Sequence, residues 1–402
     1  VGWWAGGPEL KIVSAVVGWM GPPCPQARQR AAVVGLGAVL GWLVLLWHPI
    51  LGAGQITGVG AAMDCTPTKN SGRPQRNAYM VMIGPFTEER RYSNWLYAAV
   101  ALHSALRHHG STADFILLCA IRDSPVHRPA KMLPEEEALL DSNSIQYRYV
   151  TAPYGNAGFH MGHFKTWAWQ FTEYDRIQLL DADVIPLTNM DDFFDLAYEA
   201  QTDFLGCPGK ISVLNAGWFV LRPSCSHFEP MTRMLKADGV RWNQKEGWGH
   251  QLREGWLNAM GQWMKPGWAF FDGHGNQGHM YSYFLFDARD LTLIYADRVL
   301  QHTNGTVYGD DIIQSDHLEP MARERLRRTL REAFPCPFPK VDQPAYHHFT
   351  GNVKPWTAYK PENKAFKLWY DALERAGIDA QQTVFRDHST AHLHGERGVG
   401  GR

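Results

Sequence analysis

Between Ala78 and Leu180 the chain alternates short apolar runs with segments of helical periodicity, and this alternation constrains the fold more than any other feature. Ala78 to Ile83, Asp114 to Ile121, Ile145 to Val150 and Arg176 to Leu180 read as strands. Tyr92 to His109, Leu133 to Leu140 and Gly162 to Thr172 read as the helices between them. Such alternation implies parallel strands joined by crossover helices. The expected class is α/β, a doubly wound, mostly parallel sheet with flanking helices. Ligands of such sheets bind beyond the carboxyl ends of the strands, and Ile83, Gly84 and the residues after Leu180 lie there.

Directly after Leu180 stand Asp181-Ala182-Asp183, then Val184-Ile185-Pro186. Residues i and i+2 of an extended segment point to one side, so Asp181 and Asp183 can grip a hard cation together and leave positions open for phosphate oxygens. A lone Asp-x-Asp is weak, and a solvated turn after a strand is its ordinary explanation. Far downstream, however, His348-Phe349-Thr350-Gly351-Asn352-Val353-Lys354-Pro355-Trp356 combines an imidazole, a glycine and a lysine in one loop. Imidazole suits borderline cations such as manganese, Gly351 permits close backbone approach, and the Lys354 ammonium suits a diphosphate. Together the motifs describe a metal-diphosphate site with Asp181, Asp183 and His348 as ligands.

These residues carry a resemblance. Asp181-Ala182-Asp183 and the His-x-x-Gly-x-x-Lys-Pro-Trp run resemble glycosyltransferase family 8, the glycogenin-like retaining enzymes of GT-A fold. Lys165 with Trp169, Tyr174-Asp175-Arg176, and Leu214-Asn215-Ala216-Gly217-Trp218-Phe219-Val220 resemble it too, and the similarity runs from about residue 76 to residue 370. The resemblance implies Mn²⁺ or another divalent cation, a UDP-sugar donor with its nucleotide near Ile83 and Gly84, and a glycan, polysaccharide or glycoprotein acceptor. It implies Lys165, Asn276 and Gln277 as catalytic candidates, and Asn215, Gly351 and Lys354 as substrate-binding ones. Lys165 also reads as a snorkelling lysine on a helix surface. His347 reads as structural. Where glycogenin-like enzymes have Asp-Gln-Gly this chain has Asn276-Gln277-Gly278, so a carboxylate has become an amide, which hydrogen-bonds but carries no charge. Asp272 could compensate from four residues away. Tyr92 and Trp95 are both candidates to stack on uracil.

The first 75 residues read as an address. Ala31 to Trp47 is apolar and uncharged, preceded by Arg28 and Arg30, the layout of a signal anchor or a signal peptide. The run is short for a bilayer span of about 20 residues unless extended to Leu51, so an anchor, a cleaved signal and a buried helix all stay open. The chain opens on Val1, and Met20 would make a start. The expected order is a cytoplasmic segment 1–30, an anchor 31–51, a stem 52–76, the transferase domain 77–378 and a disordered tail 379–402. This predicts a type II protein of the Golgi or another secretory membrane with its domain in the lumen. Of six cysteines, Cys119 lies in an apolar run and reads as a core thiol, and the spacing of the rest fits no metal finger. Asn304-Gly305-Thr306 is a glycosylation sequon.

A net charge of −1, with no Lys/Arg stripe interleaved with aromatics, gives no reason to expect nucleic acid. Trp242, Trp248, Trp256, Trp263 and Trp268 crowd one stretch, either as a stacking platform for acceptor sugars or as the packing of an irregular insertion. Three functions compete: a secretory-pathway glycosyltransferase moving a hexosyl unit, a glycogenin-like initiator of storage polysaccharide, and a catalytically silent sugar-nucleotide-binding scaffold.

Overall fold

The structure is a computed structural model that describes residues 75–385 apart from 87–91, 122–130, 152–160, 200–201, 237–238, 240–241, 254, 259–262, 294–301, 304–344 and 351–352. The proposed anchor, the stem up to residue 74, the sequon, Gly351 and the end of the tail therefore lie outside the described residues. No helix among the described residues is long and apolar enough to cross a membrane.

The first half follows the alternation: β1 (Asn77–Phe86), α1 (Ser93–His108), β2 (Asp114–Ile121), α2 (Pro134–Ser142), β3 (Gln146–Val150), a 3₁₀ helix (Met161–Gln170), then β4 (Arg176–Asp181) and β5 (Val184–Pro186). Next come α3 (Asp192–Glu199), β6 (Phe204–Gly206), β7 (Trp218–Leu221), α4 (Cys225–Leu235), β8 (Trp256–Leu257), β9 (Trp263–Met264) and α5 (Asn276–Ser282). The remainder is β10 (Leu291–Leu293), β11 (His302–Thr303), β12 (Tyr346–Thr350), α6 (Lys364–Arg375) and α7 (Ala380–Thr383).

Seven strands form one sheet in the order β10-β6-β7-β4-β1-β2-β3. The pairs β1–β2, β2–β3, β1–β4 and β6–β10 are parallel, and β7 alone runs against its neighbours β4 and β6. The sheet is thus mixed and mostly parallel. Side chains alternate between two cores: Tyr79, Val81, Phe115, Leu117 and Leu180 face one, Ala78, Met80, Ile116, Leu118 and Leu179 the other. Both faces are covered, which is why these strands read as continuous apolar runs.

The chain moves outward from β1 to β2 and β3, then returns to place β4 on the other side of β1. That reversal is a topological switch point, where strand ends diverge and leave a crevice. Met82 of β1 lies beside Asp181 of β4 across it. A separate three-stranded sheet, β11-β12-β5, begins where β5 leaves the main sheet.

Two expectations need correction. The helix expected at Gly162 to Thr172 is a 3₁₀ helix, whose three residues per turn stack Gly162, Lys165 and Ala168 in one column. The tail expected from residue 379 opens with α7, whose Asp379 Oδ1 accepts from the Gln382 amide, and Ala380 and Val384 pack into the core. Of the two readings of the tryptophan-rich stretch, packing holds for Trp248, Trp256 and Trp268, which are buried.

Candidate functional site

The site forms where β4 ends. Asp181 still belongs to the main sheet, and its amide donates to the Gly217 carbonyl of the antiparallel neighbour at 2.9 Å. The chain then turns at Ala182 and Asp183 before β5 pairs with β12. The two carboxylates converge through this turn, not through a continuous strand as the spacing implied. The turn arises because β4 and β5 serve different sheets.

β12 brings in the third group. His348 pairs in register with Val184, and the Phe349 amide donates to the Asp183 carbonyl at 2.9 Å. A sequence separation of 165 residues thereby becomes a contact of 3.1 Å between His348 Nε2 and Asp183 Oδ1, with Asp181 Oδ2 at 3.8 Å from the same nitrogen. One ligand atom from each of Asp181, Asp183 and His348 lies within 4.8 Å of the others. Two carboxylates and an imidazole suit a borderline divalent ion such as manganese.

Two lysines complete the cluster. Lys165 Nζ donates to Asp181 Oδ1 and to the Ala216 carbonyl, both at 2.6 Å. With 5% of its surface exposed it is an interior cation, which removes the snorkelling alternative. Lys354 Nζ donates to Asp183 Oδ2 and to the Phe349 carbonyl. Asp183 is buried. Burial pushes its carboxyl up, but His348 and Lys354 outweigh that and hold it well below the usual carboxylate range. Asp181 keeps a third of its side chain open to solvent, so an entering ion would meet it first.

Gly217 makes room for the imidazole. A Cβ built on it would come within 2.3 Å of His348 Cε1 and 2.8 Å of Nδ1, closer than such atoms pack. Asn215 fixes that backbone, its Oδ1 accepting from the Gly217 amide at 2.8 Å. On the other side the 3₁₀ helix carrying Lys165 touches α5: a Cβ on Gly162 would lie 2.5 Å from Asn276 Cγ. Asn276 and Gln277 are both buried at the start of α5. Asn276 Nδ2 has no hydrogen-bond partner among the described residues, and Gln277 Oε1 accepts from Ser212 Oγ at 3.0 Å. Asp272 is already engaged, since its Oδ2 accepts from the Gln277 amide at 3.0 Å.

Ile83 is buried and Gly84 half-buried at the end of β1. Gly84 has φ of +143°, and a Cβ there would meet the Ala120 carbonyl oxygen at 2.6 Å. Only glycine fits. Of the two uracil candidates, Tyr92 is buried with its ring stacked on Phe86 at 3.9 Å. Trp95 is half-buried, packs edge-on against Trp356 and lies 5.7 Å from Lys354 Nζ. His347 is buried against Phe349. Sequence reasoning missed Gly217 as the clearance for His348 and Trp356 as the anchor of the Lys354 loop. The Leu214–Val220 motif and the Lys-Pro-Trp run contained both, without signalling their contacts.

An acidic clamp with an imidazole and two cations, at the switch point of a mixed α/β sheet, is the kind of site that nucleotide-diphosphate transferases need. The chain's curated relatives include a plant glucuronosyltransferase and a glycogenin. It is 26% identical over 190 residues to UDP-glucuronate:xylan alpha-glucuronosyltransferase 1 of Arabidopsis thaliana, covering 45% of this chain and 26% of that protein. It is 25% identical over 146 residues to glycogenin-1 of Homo sapiens, covering 35% and 40% respectively. Across the matched relatives the chain spans between 25% and 40% of their length. No family model matches the chain. Solved structures that align with it include the bifunctional glycosyltransferase WbbM (TM-score 0.47, 12% identity, 79% of this chain and 52% of that one). The galactosyltransferase LgtC with donor and acceptor analogues also aligns (TM-score 0.41, 12% identity, 75% and 95%).

Proposed function

We propose that the protein is a retaining, divalent-metal-dependent glycosyltransferase that moves a hexosyl unit from a UDP-sugar to a hydroxyl of a glycan or glycoprotein. The observation that carries this reading is the convergence of Asp181, Asp183 and His348 within 4.8 Å, with Lys165 and Lys354 bonded to the same two carboxylates. The glycosyltransferase relatives support it.

Asp181, Asp183 and His348 would hold the cation, which when bound neutralises charge on a leaving diphosphate. Lys354 hangs from a loop beside the clamp and supplies a second positive charge for those oxygens, preorganised and half-buried where it acts more strongly than in open water. Lys165 holds the Asp181 carboxylate in place through its second bond to the Ala216 carbonyl. Asn215, Asn276 and Gln277 present neutral amides for sugar hydroxyls, and the free Nδ2 of Asn276 is a donor in want of an acceptor. Retention is implied by the family resemblance. The end of β1 at Ile83 and Gly84 would receive the nucleotide.

The domain is proposed to work in the secretory lumen, anchored by the apolar run 31–51. A disulfide at Cys225 favours an oxidising compartment, which weighs against a cytosolic initiator of storage polysaccharide. The decisive experiment is UDP release from UDP-glucose, UDP-galactose, UDP-glucuronate and UDP-N-acetylhexosamines, with Mn²⁺ or with chelator. Manganese-dependent release from one donor is expected. Tight UDP-Mn²⁺ binding with no release from any donor would favour the silent scaffold instead.

A further inference from the structure

Four large apolar side chains stand out as exposed among the described residues, and two of them, Ile211 (57%) and Phe271 (64%), are neighbours. They come from different loops joined by a hydrogen bond from the Phe271 amide to the Ile211 carbonyl at 3.0 Å. Ile211 lies in the connection from β6 to β7, which also carries Asn215. Phe271 lies in the connection to α5, which starts with Asn276 and Gln277.

The two loops are locked into a ring. Asp272, next to Phe271, accepts from the Gln277 amide, and Gln277 accepts from Ser212, next to Ile211. Asp272 holds φ of +60°, a left-handed conformation that costs free energy for a non-glycine residue and persists only where its surroundings enforce it. Behind this rim the tryptophan insertion forms the bed. Phe270 turns inward against Trp256 and Trp268, with ring centroids 5.8 Å from each, so its neighbour Phe271 is turned outward. A rigid backbone thus holds an aromatic face in solvent, beside the loop that leads into the helix bearing the candidate donor amides.

We infer that Phe271 and Ile211 form the acceptor platform, on which a sugar ring of the acceptor stacks its apolar face. The inference rests on the transferase reading and extends it to the acceptor. An exposed aromatic ring offers a sugar large contact area at little entropic cost, because the ring is already fixed. Its attachment to Gln277 sets the stacked sugar beside the donor sugar. Trp256 and Trp268 serve as support through Phe270, and Phe271 is the ring this packing presents.

The test separates donor from acceptor. Phe271→Ala, Phe271→Trp and the parent chain are compared in donor hydrolysis without acceptor, in transfer to xylo-, malto-, manno- and galacto-oligosaccharides, and in direct binding of the same oligosaccharides by ligand-observed NMR. Phe271→Ala is expected to raise the acceptor KM and weaken oligosaccharide binding about tenfold, leaving donor KM and hydrolysis within about twofold. Phe271→Trp restores both. Loss of donor hydrolysis in the parent chain sinks the transferase reading alone, since oligosaccharide binding still judges the platform. Equal oligosaccharide binding by the parent chain and Phe271→Ala, or none by either, overturns the platform.

Discussion

His348 reaches the two carboxylates only because Gly217 leaves it space. Gly217 has no left-handed φ, so alanine would fit its backbone and act chiefly by pushing the imidazole away, with a lesser crowding of Asn215 Oδ1 at 3.0 Å. Gly217→Ala should therefore keep the fold and weaken Mn²⁺ binding by roughly 10- to 100-fold, the range for groups that orient metal ligands. Titration of Mn²⁺ by electron paramagnetic resonance on donor-free protein reads this directly, and an unchanged affinity would mean that His348 is no ligand. Asp183→Asn tests the clamp itself. It removes a buried charge that faces both His348 and Lys354, so Mn²⁺-dependent turnover should vanish while stability falls by up to about 3 kcal/mol. Full turnover with the amide would exclude Asp183 as a ligand.

At the scale of elements, the loop after β12 is held by an aromatic anchor. Trp356 is buried between Trp95 of α1 and Trp369 of α6, at 4.9 and 5.7 Å between ring centroids. Tyr370 of α6 also donates to the Pro355 carbonyl at 3.0 Å. Lys354 is positioned by packing two residues away from it. Trp356→Ala should cost about 3–5 kcal/mol in urea unfolding and also raise the UDP dissociation constant, with Trp356→Phe intermediate in both. A stability loss with unaltered UDP affinity would show that the loop is positioned by β12 alone. The 3₁₀ helix and α5 meet similarly, through the contact of Gly162 with Asn276, so Lys165 and the amides form one unit.

At the scale of the molecule, stability should fall with acid because of histidines that the fold keeps neutral. His279 is fully buried, and burial lowers it to about 4; His103 is lowered to about 4 by burial and by Arg107. Both are neutral in the fold at pH 6, whereas the unfolded chain takes up protons below about 6.5. Stability from these groups is complete above that value and is lost as pH falls toward 4, by roughly 3 kcal/mol for His279 alone. Urea midpoints at pH 7, 5.5 and 4.5 check this, and His279→Gln should flatten the decline. Cys225 forms a disulfide, whereas Cys119 and Cys207 are free and buried. Peptide mapping without reductant should find Cys225 in a disulfide, with Cys119 and Cys207 alkylated only after unfolding.

Local pattern carried much of this protein into view. Strand boundaries such as Asp114–Ile121 follow from apolar runs whose two faces are both buried, and the acidic pair follows from the strand that ends at it. The His-x-x-Gly-x-x-Lys run was legible because each residue type has its own chemistry. Other features are contacts between distant segments, which no local spacing encodes. The turn at Ala182 exists because β4 and β5 join different sheets; the burial of Asp183 and Lys165 depends on what packs over them. Gly217 matters only once His348 lies against it. Five tryptophans and one phenylalanine look alike in a sequence as carriers of apolar area, and only tertiary packing decides which ring is spent on the core and which is left facing water.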